Sequence, residues 1–380
     1  MNKKLIAAAL AALMCSVCCG CGNSIGSDSG ATTVTAEQGS AQKGENTEPA
    51  PEETTTEETT TTTTVETTTL VSTSLGLEEE TCEIINGCLV SDIGTPLVRA
   101  MEQFYYSDDV GEYFAETVDS FATAVGTDVN TWLMCIPSSQ ALYTPEDVRG
   151  DYSDQAESAK DQYDKLKVAK GVYVNDALEA HKAEYLYSRT DYHWQPLAAF
   201  YSAQVFAEQL GLDFADYTTY EKIDREGYLG AFYSVTGIDA LAEYPDTFTY
   251  YKPANLDNCT FTYHDTYFNE GYEGSLFFED LDIGSSYTIF VGSDSLILEV
   301  DTDVDNDRTL VIFKDSYGNA LLPFLTSSFE KIYLCDPRFF DINSVDFCKQ
   351  VGATDVLFAQ GASSSTTYSK IELIEQSMNK

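Results

Sequence analysis

Residues 308–325, RTLVIFKDSYGNALLPFL, decide the fold. Leu310, Val311, Ile312 and Phe313 are apolar without alternation, which suits a strand covered on both faces, as in a parallel sheet with helices on either side. The run stops at Lys314, Asp315 and Ser316 and passes into a helical pattern. A serine at such a junction exposes its hydroxyl at the sheet edge, beside helix N-terminal amides able to hold a developing oxyanion. Four further apolar runs end in the same abrupt way: 131–136 (TWLMCI) at Pro137, 171–174 (GVYV) at Asn175, 331–335 (KIYLC) at Asp336, and 355–359 (DVLFA) at Gln360 and Gly361. In sheets of this kind the chemistry collects in the loops beyond the strands' carboxyl ends. Residues 82–380 therefore read as one large α/β domain with a mostly parallel sheet. Within it, residues 214–310, rich in Tyr, Phe and Thr with frequent Gly and Asp, read as hairpins or a β-rich insertion.

The chain ahead of this domain has a different composition. All 47 aromatic residues follow residue 81. Residues 1–21 read as an export signal: Lys3 and Lys4 precede an apolar run, 5–17, that is too short to span a bilayer. The segment CSVCCGCGNS places Gly20 before Cys21 and polar residues after it, the pattern of a lipoprotein signal, so Cys21 is expected to carry the lipid. Each acyl methylene buried in a membrane would contribute about 0.8 kcal/mol. Residues 22–81 lack aromatics, and 12 of the 20 residues 51–70 are Thr, so they cannot offset the entropy of ordering and read as a disordered tether of roughly 40 Å reach. The expectation is an extracytoplasmic protein held to the cell membrane by a lipid anchor.

Charge narrows the partners. With 62 acidic and 21 basic side chains the formal charge is -41, which excludes a nucleic-acid binder. Residues 82–380 hold 50 of the acidic and 18 of the basic groups, so the acidity belongs mainly to the folded part. A cleft in that field disfavours strongly anionic polymers unless Lys314, Arg189 or Arg338 offsets it, and favours neutral or amino-bearing substrates. No metal and no cofactor is indicated. No Cys/His pair in 82–380 has zinc spacing, and the acidic run 301–307, DTDVDND, has Asn306 and Ile312 where a calcium loop needs Gly and Glu.

A base for Ser316 must come from His181, His193 or His264. His181 lies among Glu179 and Glu184 on a helical stretch, and His264 alternates with aromatics as a strand surface residue does. His193 stands in TDYHWQPLAAF, two positions after Asp191. On an extended segment those two side chains share a face, so Asp191 can fix the imidazole tautomer and stabilise the imidazolium. Pro196 follows as a favoured first residue of a helix.

The combination of TDYHW, then VIFKDSYGNALLPFL about 120 residues later, then IYLCDPRFF, resembles the DHHW family of exported bacterial proteins. Supporting stretches are EGYLGAFYSVTGIDALAEYPDTFTYY and YTIFVGSDSLILEV, and the similarity runs from about residue 85 to 370. The resemblance extends to SGNH hydrolases and to the acetyltransferase-like domains that O-acetylate alginate. It implies a three-layer α/β/α SGNH-hydrolase-like (flavodoxin-like) fold, with Ser316 as nucleophile, His193 as general base and Asp191 as its orienting acid. Tyr317, Asn319 and Gly292 become candidate oxyanion or substrate groups. It further implies an O-acyl transferase or esterase that moves or removes an acyl group, typically acetyl, on a cell-surface glycan, the donor in the first case supplied by a membrane partner protein. Two positions depart from the pattern: Tyr192 replaces the family's first histidine, and Lys314 replaces the glycine of the esterase GDS motif. A non-catalytic glycan-binding or scaffold lipoprotein with a vestigial site is the alternative, since aromatic faces also stack on sugars.

Overall fold

A computed structural model describes residues 82–380; the expected signal, Cys21 and the tether lie outside the described residues. The first strands, β1 (Glu83–Ile85), β2 (Cys88–Ser91) and β3 (Arg99–Met101), make a small antiparallel meander. Its first turn is Asn86-Gly87, both at positive φ (48° and 83°), the two-residue hairpin turn whose twist matches the flanking strands. Then follow β4 (Asn130–Ile136), β5 (Lys170–Gly171), β6 (Glu221–Tyr228), β7 (Asp246–Lys252), β8 (Thr260–His264), β9 (Tyr272–Glu273), β10 (Ile297–Asp301), β11 (Thr309–Lys314), β12 (Lys331–Cys335) and β13 (Asp355–Gly361).

Eight of these strands form one mixed sheet in the order β5-β4-β13-β11-β12-β10-β8-β9. The five from β5 to β12 are mutually parallel, and β11 lies inside them, its Leu310 opposite both Ile332 and Asp355. The apolar runs produce this half because both faces are covered. Leu310 and Ile312 face a core that includes Trp194, Phe206 and Phe324. Val311 and Phe313 face another, built on Phe114 and Phe121 of the helix Asp108–Val125, where Phe121 meets the Phe313 and Phe358 rings edge-on at 5.8 and 5.0 Å.

The region read as a β-rich insertion divides differently. Only β6 and β7 form a hairpin of their own, with a register shift between Glu226 and Tyr228. Strands β10, β8 and β9 instead extend the main sheet antiparallel to β12, so the sheet is mixed. The physical reason is the exposed edge of β12: β10 covers its unpaired backbone groups, and Leu298, Val300, Phe261 and Tyr263 then join the core. Of the run 171–174, only Gly171 belongs to a regular strand. Among the described residues no helix is long and apolar enough to cross a membrane.

Candidate active site

Strand β11 ends at Lys314, and the chain turns at once into a 3-10 helix, Ser316–Leu321. Asp315 makes that turn. Its Oδ1 accepts the Tyr317 N–H at 3.0 Å, capping the helix, and its Oδ2 accepts the Gly361 N–H at 2.9 Å from the end of β13. Ser316 is thus fixed between two parallel strand ends and lines a cleft with Glu102, Tyr192, Asp315 and Tyr317.

Asp191 and His193 lie on a bend between Tyr187 and Trp194, which pair across it as an isolated antiparallel bridge. The expected extended geometry is replaced by a tighter one. Asp191 Oδ1 accepts the backbone N–H of His193 at 2.8 Å as well as meeting its Nδ1 at 2.7 Å, the local bond that aspartate offers a backbone two residues on. Backbone and ring of His193 are therefore held by one oxygen, while Oδ2 accepts the Ala231 N–H at 2.7 Å. Gly230 lies against this carboxylate so closely that a Cβ would collide with it.

Distant groups hold the bend. Buried Asp246, at the start of β7, accepts the N–H groups of Arg189 (3.0 Å) and Thr190 (2.9 Å), the Thr190 hydroxyl (2.7 Å) and Arg189 Nε (3.1 Å). Buried Arg99 donates to the Tyr187 and Ser188 carbonyls, both at 3.1 Å.

His193 Nε2 lies 2.8 Å from Ser316 Oγ. Because the Asp191 carboxylate can only accept, Nδ1 carries the proton and Nε2 is left to accept from the serine hydroxyl. Burial acts to raise the Asp191 carboxyl, but the His193 imidazole and the two backbone N–H groups hold it below the usual carboxylate range. The chain Ser316–His193–Asp191 can therefore remove a proton from the serine hydroxyl and stabilise the resulting imidazolium.

Sequence reasoning missed Tyr287. Its ring stacks on the His193 imidazole at 3.6 Å and 9°, and its hydroxyl donates to the carbonyls of Ser316 (2.9 Å) and Tyr317 (3.2 Å). Trp194 Nε1 donates to the same Tyr317 carbonyl at 3.1 Å. Tyr287 falls in the 3-10 segment Ile283–Ile289, where no strand or helix period marks an inward side chain.

The three candidate oxyanion or substrate groups fare unequally. Tyr317 lines the cleft, but its N–H is given to Asp315. The Asn319 side chain is buried and donates to Asp294 at 2.8 Å, so it supports that carboxylate rather than facing substrate. Gly292, at φ +62°, packs against the Phe278 ring and is not among the cleft residues. Lys314 does not re-charge the cleft: it is 2% exposed and paired with Asp294 (2.5 Å) and Asp336 (3.2 Å). Burial would lower its pKa, yet the two carboxylates keep the ammonium charged. Arg338 is bound to the same two aspartates, and Arg189 to Asp246, so none of the three cations is left to offset the acidic field. His181 stacks on Tyr201 at 3.7 Å, away from the cleft. His264, expected at a strand surface, is buried between the Asn269 carbonyl and Glu299.

No curated protein matches the chain. A solved DHHW family protein from Eubacterium siraeum superposes with a TM-score of 0.73 at 36% identity, covering 78% of this chain and 97% of that one. Two structures of Bacillus cereus PatB1, one with a sulfonyl adduct, superpose with TM-scores of 0.60 at 14% and 16% identity, over 77% of this chain and 98% and 99% of theirs; at that identity the likeness is one of fold. The DHHW protein family model matches residues 90–335, which span β11, the bend with Asp191 and His193, and Ser316. The motif that names the family stands here as Asp191-Tyr192-His193-Trp194, and the chain belongs to the DHHW family.

Proposed function

We propose that this protein is a serine-dependent acyl-transfer enzyme, an O-acyl (acetyl) transferase or esterase of SGNH-like three-layer architecture, acting on a cell-surface glycan outside the cytoplasm. Ser316 is its nucleophile, His193 its general base and Asp191 the acid that orients the base. The observation that carries this reading is the continuous relay from Ser316 Oγ through His193 to Asp191, with separations of 2.8 and 2.7 Å, at the wall of a cleft. As Oγ attacks the acyl carbonyl its proton passes to Nε2. The bond from the acyl carbon to the leaving oxygen breaks, and the proton goes to that oxygen. Water or a sugar hydroxyl then attacks the acyl-serine, giving its proton to Nε2; the bond from the acyl carbon to Oγ breaks, and Nε2 returns the proton to Ser316 Oγ. The lipid anchor at Cys21, the tether and a membrane partner that presents the acyl donor complete the proposal.

Ester turnover tests it. The folded domain should hydrolyse p-nitrophenyl acetate, and the Ser316→Ala variant should not. The PatB1 structure bears a sulfonyl adduct, so a sulfonyl fluoride is an apt probe here: mass spectrometry should place one sulfonyl group on the peptide containing Ser316. Absence of both turnover and adduct in the wild-type protein would sink the reading.

A further inference from the structure

The cleft beside Ser316 contains an acidic residue that the Ser316–His193–Asp191 relay does not use, Glu102. Glu102 follows directly on β3, whose Ala100 N–H donates to the Arg189 carbonyl at 3.0 Å, so the meander brings it alongside the bend that carries Asp191. It lines the cleft with Ser316 and Tyr192. The other carboxylates there have partners: Asp315 holds two backbone N–H groups, and Asp336 holds Arg338 and Lys314. Glu102 makes no hydrogen bond or ion pair among the described residues, although it stands close to the Asp191 and Asp315 carboxylates. Burial, with Asp315 and Asp191 adding to it, pushes its carboxyl up to about 7.

A partly buried carboxyl with unused acceptor oxygens, facing two negative neighbours, is a receptor for a hydrogen-bond donor, and best for a positive one. We propose that Glu102 is the specificity-determining residue of this site, its carboxylate receiving a donor group of the glycan beside Ser316, an amino-sugar ammonium above all and a sugar hydroxyl less strongly. The inference rests on the acyl-transfer reading for the identity of the substrate as a glycan, but its test does not need turnover. The ammonium offers up to three donors and offsets one of the three negative charges, whereas a uronate carboxylate would add a fourth.

The experiment is calorimetric titration of the full chain with three probes: a chitosan trisaccharide, cellotriose and trigalacturonate. The expected order of affinity at pH 7.5 is the same as the order of naming. In Glu102→Gln, which keeps the shape and one acceptor oxygen, the chitosan trisaccharide should weaken by roughly tenfold to a hundredfold, while cellotriose changes less. Glu102→Asp, which keeps the charge, should recover part of that loss and so separates lost recognition from lost fold. Affinity for the chitosan trisaccharide that is undetectable in the wild type, or equal in wild type and Glu102→Gln, overturns the inference. Ester turnover by the wild type, measured alongside, decides the acyl-transfer reading independently.

Discussion

Ser316 and the Asp191–His193 pair reach the same point by different means. Ser316 stands at the end of β11, a strand paired on both sides along its length, and it inherits its position from the registers with β12 and β13. Asp191 and His193 stand on a bend with a single bridge pair, held by Asp246, Arg99 and the absence of a Cβ at Gly230. The first arrangement spreads its precision over many backbone bonds. The second concentrates it in a few buried polar groups, each of which costs much to disturb, because a buried group left unpaired keeps its full desolvation penalty. Damage to the two regions should therefore differ in kind.

The largest effect tests whether both regions serve one reaction. Ser316→Ala and His193→Ala should each lower kcat/KM for p-nitrophenyl acetate by at least about 10³-fold, and the double variant should be no worse than the poorer single one. Losses that multiply would break the relay into independent parts. Next in size is a matched pair of variants. Asp246→Asn removes the charge that holds Arg189 and Thr190 and should cost about 2–4 kcal/mol in chemical denaturation. Val311→Ala, which opens space in the β11 core, should cost about 2 kcal/mol. The folded fraction of Asp246→Asn should also lose roughly tenfold or more in kcat, because the bend loosens under His193. Val311→Ala should stay within about threefold of wild type. Equal kcat losses in the two would erase the contrast.

The same contrast explains how much was legible beforehand. Strand β11 and its serine could be read because a doubly covered strand is apolar without alternation, a signal contained in the four residues Leu310 to Phe313. The helix beginning at Pro196 was readable for a similar local reason. Asp191 next to His193 was visible as a spacing, though the bond that joins them came out as a local turn rather than an extended face. What holds the pair could not be read: Asp246 lies 56 residues from Thr190, Arg99 lies 88 residues from Tyr187, and nothing local marks either as a partner. Tyr287, 29 residues from Ser316, was hidden among 25 tyrosines. The extension of the sheet by β10 and β8 escaped for another reason. Whether a strand hairpins on itself or adds to an existing edge depends on which edge is open, and that is a property of the assembled sheet.

Tyr287 touches both regions, since its ring lies on His193 and its hydroxyl on the Ser316 backbone. Removing the hydroxyl alone, in Tyr287→Phe, should lower kcat about threefold to tenfold with KM for the small ester unchanged, because stacking survives and only the hold on the Ser316 and Tyr317 carbonyls is lost. Tyr287→Leu, which removes the flat ring as well, should fall further. If Tyr287→Phe equals Tyr287→Leu, the hydroxyl and not the ring couples the two regions.

The smallest expected effect concerns a third route into the cleft, the β3 meander that carries Glu102, and it is read in stability. A carboxyl raised to about 7 in the folded protein, against an ordinary 4.5, binds its proton more tightly folded than unfolded. Its contribution is therefore fully present below about pH 4.5 and is lost as the pH rises toward 7, the opposite sense to a carboxylate such as Asp191 that is held below its usual range. Replacing Glu102 by Gln removes the ionisation. At pH 8 the variant should be more stable than wild type by about 1–2 kcal/mol, after allowance for the partial exposure of the side chain, and at pH 4 the two should coincide. Urea denaturation at the two pH values measures it. A difference of the same size at both would mean that packing, and not the field of Asp315 and Asp191, is what the substitution changes; no difference at either would mean that Glu102 is solvated like any surface acid and that the cleft imposes no charge on its contents.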